Sequence, residues 1–148
     1  MEIVLDWRQI EPQMDLNKIR QRAEQILQSL GCDEGSVLSI VVVDSPFMAE
    51  LNIKYRGKQG PTNVLSFAQQ EAGISAGNPN LLGDVVICWD RVLSDADSLG
   101  YTIEEMFTYL LIHGILHIVG FDHDSWEHMA EMQSRVETIF QNLFPVSV

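Results

Sequence analysis

Apolar positions recur along this chain with changing period, and the changes predict an order of strands and helices. Residues 2–6 read as a short strand. Leu16, Ile19, Ala23, Ile26, Leu27 and Leu30 then keep helical spacing, which places one buried stripe on a helix capped by Asp15 and closed by Gly31. Val37 to Val43 is a β-branched run suited to a buried strand. Ser45-Pro46 combines an N-cap residue with proline at the first helical position, so a helix should follow to about Tyr55. Gly57 and Gly60-Pro61 break it, and Thr62 to Phe67 reads as a strand by alternation. The glycines, proline and asparagines from Glu71 to Asn80 predict a loop, and Leu82 to Trp89 a strand interrupted at Gly83-Asp84. A short helix is expected from Asp90 to Leu99.

The next helix is unlike the others. Thr102-Ile103-Glu104-Glu105 has capping-box spacing, and Ile103, Met106, Phe107, Leu110, Leu111, Ile115 and Leu116 leave it little polar face. It should run to about Val119, buried on most sides. Asp124-Ser125-Trp126-Glu127 then supplies a capping pattern for a last amphipathic helix ending near Leu143. This order predicts an α+β or three-layer domain, with a small mixed sheet of about four strands packed with about five helices.

Three of the four histidines lie in or just after the buried helix, at His113, His117 and His123. Residues four apart share a helix face with Cβ atoms about 5–6 Å apart, so His113 and His117 can grip one ion. On a straight helix His123 would lie roughly 15 Å further along the axis than His113. Gly120 stands where the helix can end in a left-handed turn, which would return His123 to the same ion. Hydrogen-bonded core histidines are the ordinary alternative, but three at ligand spacing point to a metal site at the end of a buried helix. Imidazole-only ligation favours zinc, although nickel or another divalent ion could load it. Three protein ligands leave a fourth position open, and zinc lowers the pKa of a water there to about 7, so hydrolysis is the natural reaction class.

The spacing follows the HExxHxxGxxH pattern of metzincin peptidases except that Gly114 replaces the glutamate, their general base. Asp122 or Asp124 could stand in as base, orient a histidine or cap the last helix. His128 falls in that last helix and reads as exposed.

A length of 148 residues suits one domain, 1–148, burying about 68–70% of its unfolded surface. With 46% hydrophobic and 20% charged residues and no repeat, disorder and solenoid architectures are excluded. Met1 to Asp6 lacks the basic and apolar regions of an export signal, and Leu110 to Phe121 is too short to span a bilayer, so a cytoplasmic protein is expected. Cys32 and Cys88, distant and without CxxC spacing, read as reduced thiols.

A net charge of −12 argues against broad electrostatic binding of nucleic acid. However, three of the nine basic residues, Lys54, Arg56 and Lys58, cluster in mid-chain, and Arg135 is the one Lys or Arg after Gly100. An anionic ligand should meet the middle of the chain, with Lys54 and Lys58 as a substrate groove. Lys18, Arg20 and Arg22 read instead as a solvated helix face.

Three blocks carry a family resemblance: Leu51-Asn52 through Tyr55-Arg56-Gly57-Lys58 to Pro61-Thr62-Asn63-Val64-Leu65-Ser66-Phe67, then Leu82-Gly83-Asp84, then HGxLHxxGxDH from His113 to His123. In these the chain resembles the YbeY family of metal-dependent endoribonucleases, also called rRNA maturation factors. The resemblance implies an α+β fold and zinc on His113, His117 and His123. It further implies cleavage of single-stranded RNA in ribosomal RNA maturation, at the 16S rRNA 3′ end, and in ribosome quality control, with the small ribosomal subunit and assembly proteins as partners. Arg56 matches the family's functionally important arginine, and a guanidinium can grip a scissile phosphate by two hydrogen bonds and offset transition-state charge. Asn63, Ala68 and Phe121 depart from the commonest family wording, where aspartate, proline and tyrosine are frequent. Two alternatives stand beside this reading. One is a zinc metallopeptidase without the usual glutamate base, the other a non-catalytic ribosome assembly factor with a structural metal and an acidic surface for basic ribosomal proteins.

Overall fold

A computed structural model describes residues 1–8, 10–68, 80–120 and 126–145, with the Trp126 side chain left out. Strand β1 (Glu2–Trp7) leads through helix α1 (Leu16–Ser29) to β2 (Val37–Val43), and α2 (Ser45–Arg56) then leads to β3 (Val64–Ala68) and β4 (Leu81–Cys88). Helices α3 (Trp89–Leu99), α4 (Ile103–Ile118) and α5 (Trp126–Leu143) complete the chain. The sheet order is β1-β2-β4-β3, with β1, β2 and β4 parallel and β3 antiparallel on the edge beside β4. The α+β class, the mixed four-stranded sheet and the five helices are those the pattern predicts.

Every residue of β2 is buried because alternate side chains meet different cores. Leu38, Ile40 and Val42 join Val85 and Ile87 under α1, α4 and α5, whose Ile19, Ile26, Leu111, Ile115 and Val136 complete the larger cluster. Val41 and Val43 join Val86, Leu65 and Phe67 on the other face, closed by Met48 and Leu51 of α2. Helices thus cover both faces, which is why the central strands read as unbroken apolar runs rather than alternating ones.

The caps explain most element boundaries. Asp15 accepts from Asn17 N at 2.9 Å, and α1 ends in a Schellman closure, with Cys32 N donating to Leu27 O and Gly31 N to Gln28 O, both at 3.0 Å. The capping box of α4 is reciprocal, Glu105 N to Thr102 Oγ1 at 3.1 Å and Thr102 N to Glu105 Oε1 at 2.9 Å.

Several expectations need correction. The cap of α2 is Asp44, whose carboxylate accepts from Phe47 N at 3.0 Å, while Ser45 is already helical and donates its N–H to Asp90 at 2.8 Å. Strand β4 is not interrupted at Gly83-Asp84: Leu81 pairs with Val37 and Gly83 with Leu38, so one extra residue is absorbed as a bulge and pairing continues. Strand β3 begins at Val64, two residues later than expected, and α3 begins at Trp89. Arg22 is not a solvated base. It donates to Glu104 at 3.1 Å and to Leu143 O at 3.1 Å and lies over the Phe144 ring, tying α1 to α4 and to the end of α5. The predicted loop over Glu71 to Asn80 falls outside the described residues except for Asn80, as does the cap at Asp124. Among the described residues, no helix is long and apolar enough to cross a membrane.

Leu111 is fully buried between the sheet and the helices on its larger face. Leu111→Ala should lower the unfolding free energy by about 3 kcal/mol, read from urea denaturation with an unchanged m-value.

Candidate active site

The site depends on how closely α4 approaches the sheet edge. Gly114 is buried, and a Cβ built on it would lie 2.6 Å from Val85 Cγ1 and 3.2 Å from Ser66 Oγ. No larger residue allows the helix to lie this low. The approach brings Ser66 Oγ within 2.8 Å of Gly114 O, to which it donates. With position 114 turned toward the sheet, His113 and His117 project together along the side of the helix, ring centroids 4.9 Å apart. Both are half-buried and line one cavity.

That cavity has a volume of about 470 Å³ and lies around the edge strand β3, between α4 and the end of α2. Arg56 and Lys58 line it together with both imidazoles, and so do the polar side chains of Asn52, Thr62, Asn63 and Ser66. Among the described residues its lining includes no aspartate or glutamate, in a chain with 21 of them.

Arg56 is held in place by its surroundings. Its Nη2 donates to Ser66 O at 2.7 Å, Nη1 to Tyr55 O at 3.4 Å, and its guanidinium carbon lies 5.1 Å from the Phe67 ring centroid. Gly57, at φ 67°, ends α2 directly after it and turns the chain so that Lys58 also faces the cavity. Lys54 does not line the cavity, and its ammonium lies 5.2 Å from the Tyr55 ring centroid. Of the expected groove, the structure therefore brings in Lys58 and leaves out Lys54.

Asn52, 5% exposed, was not among the expected site residues. Its Nδ2 donates to Gly60 O at 2.8 Å and its main-chain oxygen accepts from Lys58 N at 3.4 Å, clamping the turn that carries Lys58. Asn63 lines the cavity while its Nδ2 donates to Asp95 at 3.4 Å, and Arg91 approaches the same carboxylate at 3.5 Å. The sequence signal for both was membership of the Leu51 to Phe67 block. Periodicity could not find them, because each works through a non-local partner.

Gly120, at φ 111°, follows the Val119 cap and ends α4 as the spacing predicts. His123, Asp122 and Asp124 lie outside the described residues, and among the described residues no group of three ligating side chains forms. The imidazole pair on one helix face, opening on a cavity, suits two of the ligands of a zinc ion. His128 is exposed on α5 and does not line the cavity. Neither cysteine does so either. Both are free thiols, and burial, then the neighbouring Asp33 carboxylate, pushes the Cys32 thiol up from its ordinary value.

A family model described as "Endoribonuclease YbeY" matches residues 5–144. The chain belongs to the YbeY family. The protein named Endoribonuclease YbeY from Syntrophus aciditrophicus is 35% identical over 142 residues, spanning 95% of this chain and 88% of its own length. The one from Paramagnetospirillum magneticum is 40% identical over 109 residues, 72% of this chain and 66% of its own length. The solution structure of TM1509 from Thermotoga maritima is similar with TM-score 0.59 at 25% identity, covering 95% of this chain and 91% of that one.

The YbeY blocks have distinct physical duties. The first supplies the basic wall and the edge strand, and the third supplies the imidazole helix. The second block packs. A Cβ at Gly83 would run into the Phe67 carbonyl oxygen and lie 3.1 Å from Ile118 Cδ1, so glycine there lets β3 lie against β4 beneath the end of α4.

Gly114→Ala should be destabilising, although alanine is favoured over glycine inside a helix by about 1 kcal/mol. The clash with Val85 outweighs that preference. Thermal unfolding should show a lowered melting temperature that is partly restored when Val85→Ala is added, and simple additivity of the two losses would contradict the packing account.

Proposed function

We propose that this cavity is the active site of a zinc-dependent endoribonuclease that cleaves single-stranded RNA. The observation that carries the reading is the lining itself: among the described residues it holds two imidazoles, a guanidinium and an ammonium and no carboxylate, in a chain of net charge −12. A cluster of cationic and imidazole side chains inside an acidic protein favours an anion, and low-dielectric walls strengthen that field. Curated relatives carry the name Endoribonuclease YbeY, which makes RNA the polyanion of choice.

In this reading His113, His117 and His123 hold the zinc, with nickel or another divalent ion able to load the same ligands. When bound, zinc supplies Lewis-acid polarisation of a phosphoryl oxygen and activates water near neutral pH. Arg56 grips the non-bridging oxygens of the scissile phosphate and offsets the charge that develops on them. Its guanidinium is already fixed by Ser66 O and the Phe67 ring, so little ordering is left for the moment of reaction. Lys58 neutralises a neighbouring phosphate. Asp122 or Asp124 orients a ligand histidine or serves as the base. The biological substrate is ribosomal RNA, at the 16S 3′ end and in quality control of the small subunit, with assembly proteins supplying the docking that an acidic surface favours.

The peptidases that share this spacing carry their general base as a glutamate at position 114. The Val85 methyl 2.6 Å from a Cβ there leaves no room for a glutamate side chain.

Metal analysis and cleavage of an unstructured RNA test the reading together. His117→Ala should lose bound zinc and cleavage, with folding checked by circular dichroism. Arg56→Ala should keep zinc while kcat/KM falls by about 10²–10³. Lys58→Ala should raise KM and flatten the slope of log affinity against log salt by about 0.7. Equal cleavage by wild type and His117→Ala would reject the enzyme, and intact ribosome maturation by a cleavage-dead Arg56→Ala chain would favour the non-catalytic assembly role.

A further inference from the structure

Arg56 and the histidine pair belong to helices packed on opposite faces of the sheet. Helix α2 closes the smaller core through Met48 and Leu51, and α4 fills the larger one through Leu111, Ile112 and Ile115. The guanidinium and the imidazoles are thus carried by different cores, yet both must engage one phosphodiester. The edge strand between them carries a residue bonded to both. Ser66 accepts from Arg56 Nη2 through its main-chain oxygen at 2.7 Å and donates from its hydroxyl to Gly114 O at 2.8 Å. Gly114 lies directly after His113 and one helical turn before Ile118, between the two histidines.

We propose that Ser66 is a positioning residue that holds the Arg56 guanidinium and the His113–His117 pair at the separation one phosphate group requires. The inference deepens the nuclease reading and rests on it. The close approach of Gly114 to Val85 fixes how deep the helix sits, but contacts between apolar surfaces resist sliding weakly because they have no direction. A hydroxyl-to-carbonyl hydrogen bond is directional and fixes the helix along the strand. The carbonyl has a second lone pair, so Gly114 O can take this bond in addition to its helical one. Among the described residues β3 pairs with β4 alone, and the Ser66 carbonyl takes its bond from the arginine. One short residue with a hydroxyl on the α4 side and its carbonyl on the arginine side therefore couples two elements that otherwise belong to separate cores.

The test is a double-mutant cycle on the zinc-loaded full chain, with inorganic phosphate affinity measured by calorimetry and cleavage of an unstructured RNA measured in parallel. Ser66→Ala should weaken phosphate binding and lower kcat by about tenfold, with KM within about twofold of wild type and the zinc content unchanged. In an Arg56→Ala background the same change should have almost no further effect, because the partner it positions is gone. Ser66→Thr keeps the hydroxyl and should recover most of the loss. A tenfold loss that persists undiminished in the Arg56→Ala background would make Ser66 merely structural and overturn the proposal. Wild-type phosphate affinity in Ser66→Ala, or no phosphate binding by wild type, would overturn it as well. A wild type that binds phosphate with the coupled cycle but leaves RNA intact would reject the nuclease reading and leave the positioning role standing.

Discussion

The structure depends on the absence of one side chain. At Gly114 the imidazole helix lies so low over the sheet that a single added carbon would meet Val85 at 2.6 Å. Because that position faces the strands, its neighbours at 113 and 117 are turned toward the cavity rather than into the core. The same descent places a helix carbonyl within reach of Ser66 and brings the end of α4 over Gly83. Two glycines far apart in sequence thus solve one problem, the stacking of α4, β3 and β4 at the sheet edge. The general base expected at 114 from peptidase spacing is missing for a mechanical reason: the position is used for contact.

Charge is arranged around this packing. The chain is strongly acidic, yet Asp95, close to the cavity residue Asn63, takes a hydrogen bond from it and faces Arg91. On the far side, Glu104 is met by Arg22 and Lys18. An acidic protein can therefore present a basic concavity without a basic surface, and a polyanion would be guided to one place rather than held everywhere.

Much of the fold was legible in the sequence, because periodicity and caps are local. The Thr102–Glu105 box, the Gly31 closure and the Gly120 turn are encoded by residues within a few positions of the boundary they set. Where reading failed, two residues could each do the same task or the partner was distant. Asp44 and Ser45 are both competent caps, and Asp90, remote in sequence, takes the Ser45 N–H. Gly83 reads as a break in a strand until Phe67 lies above it. Arg22 reads as solvated until Glu104 and Phe144 come near. Of the site, the imidazole pair follows from helical spacing alone, whereas Arg56 needed the family resemblance, and the roles of Asn52 and Ser66 follow from partners that only the fold brings near. Lys54 and Lys58 are equivalent in a count of charges, and the Gly57 turn between them separates their roles.

The division of the interior into two cores has a further meaning for the site. The cluster beneath α2 is the smaller, formed by that helix, the edge strand and one face of β2 and β4, while the imidazole helix is embedded in the larger one. Cooperative units with less buried apolar area open at lower free energy than the global transition. The two halves of the site therefore sit in regions of unequal stability. The guanidinium is thus carried by the smaller core and the imidazoles by the larger, while the edge strand β3 contributes to the first and hydrogen-bonds to the helix of the second.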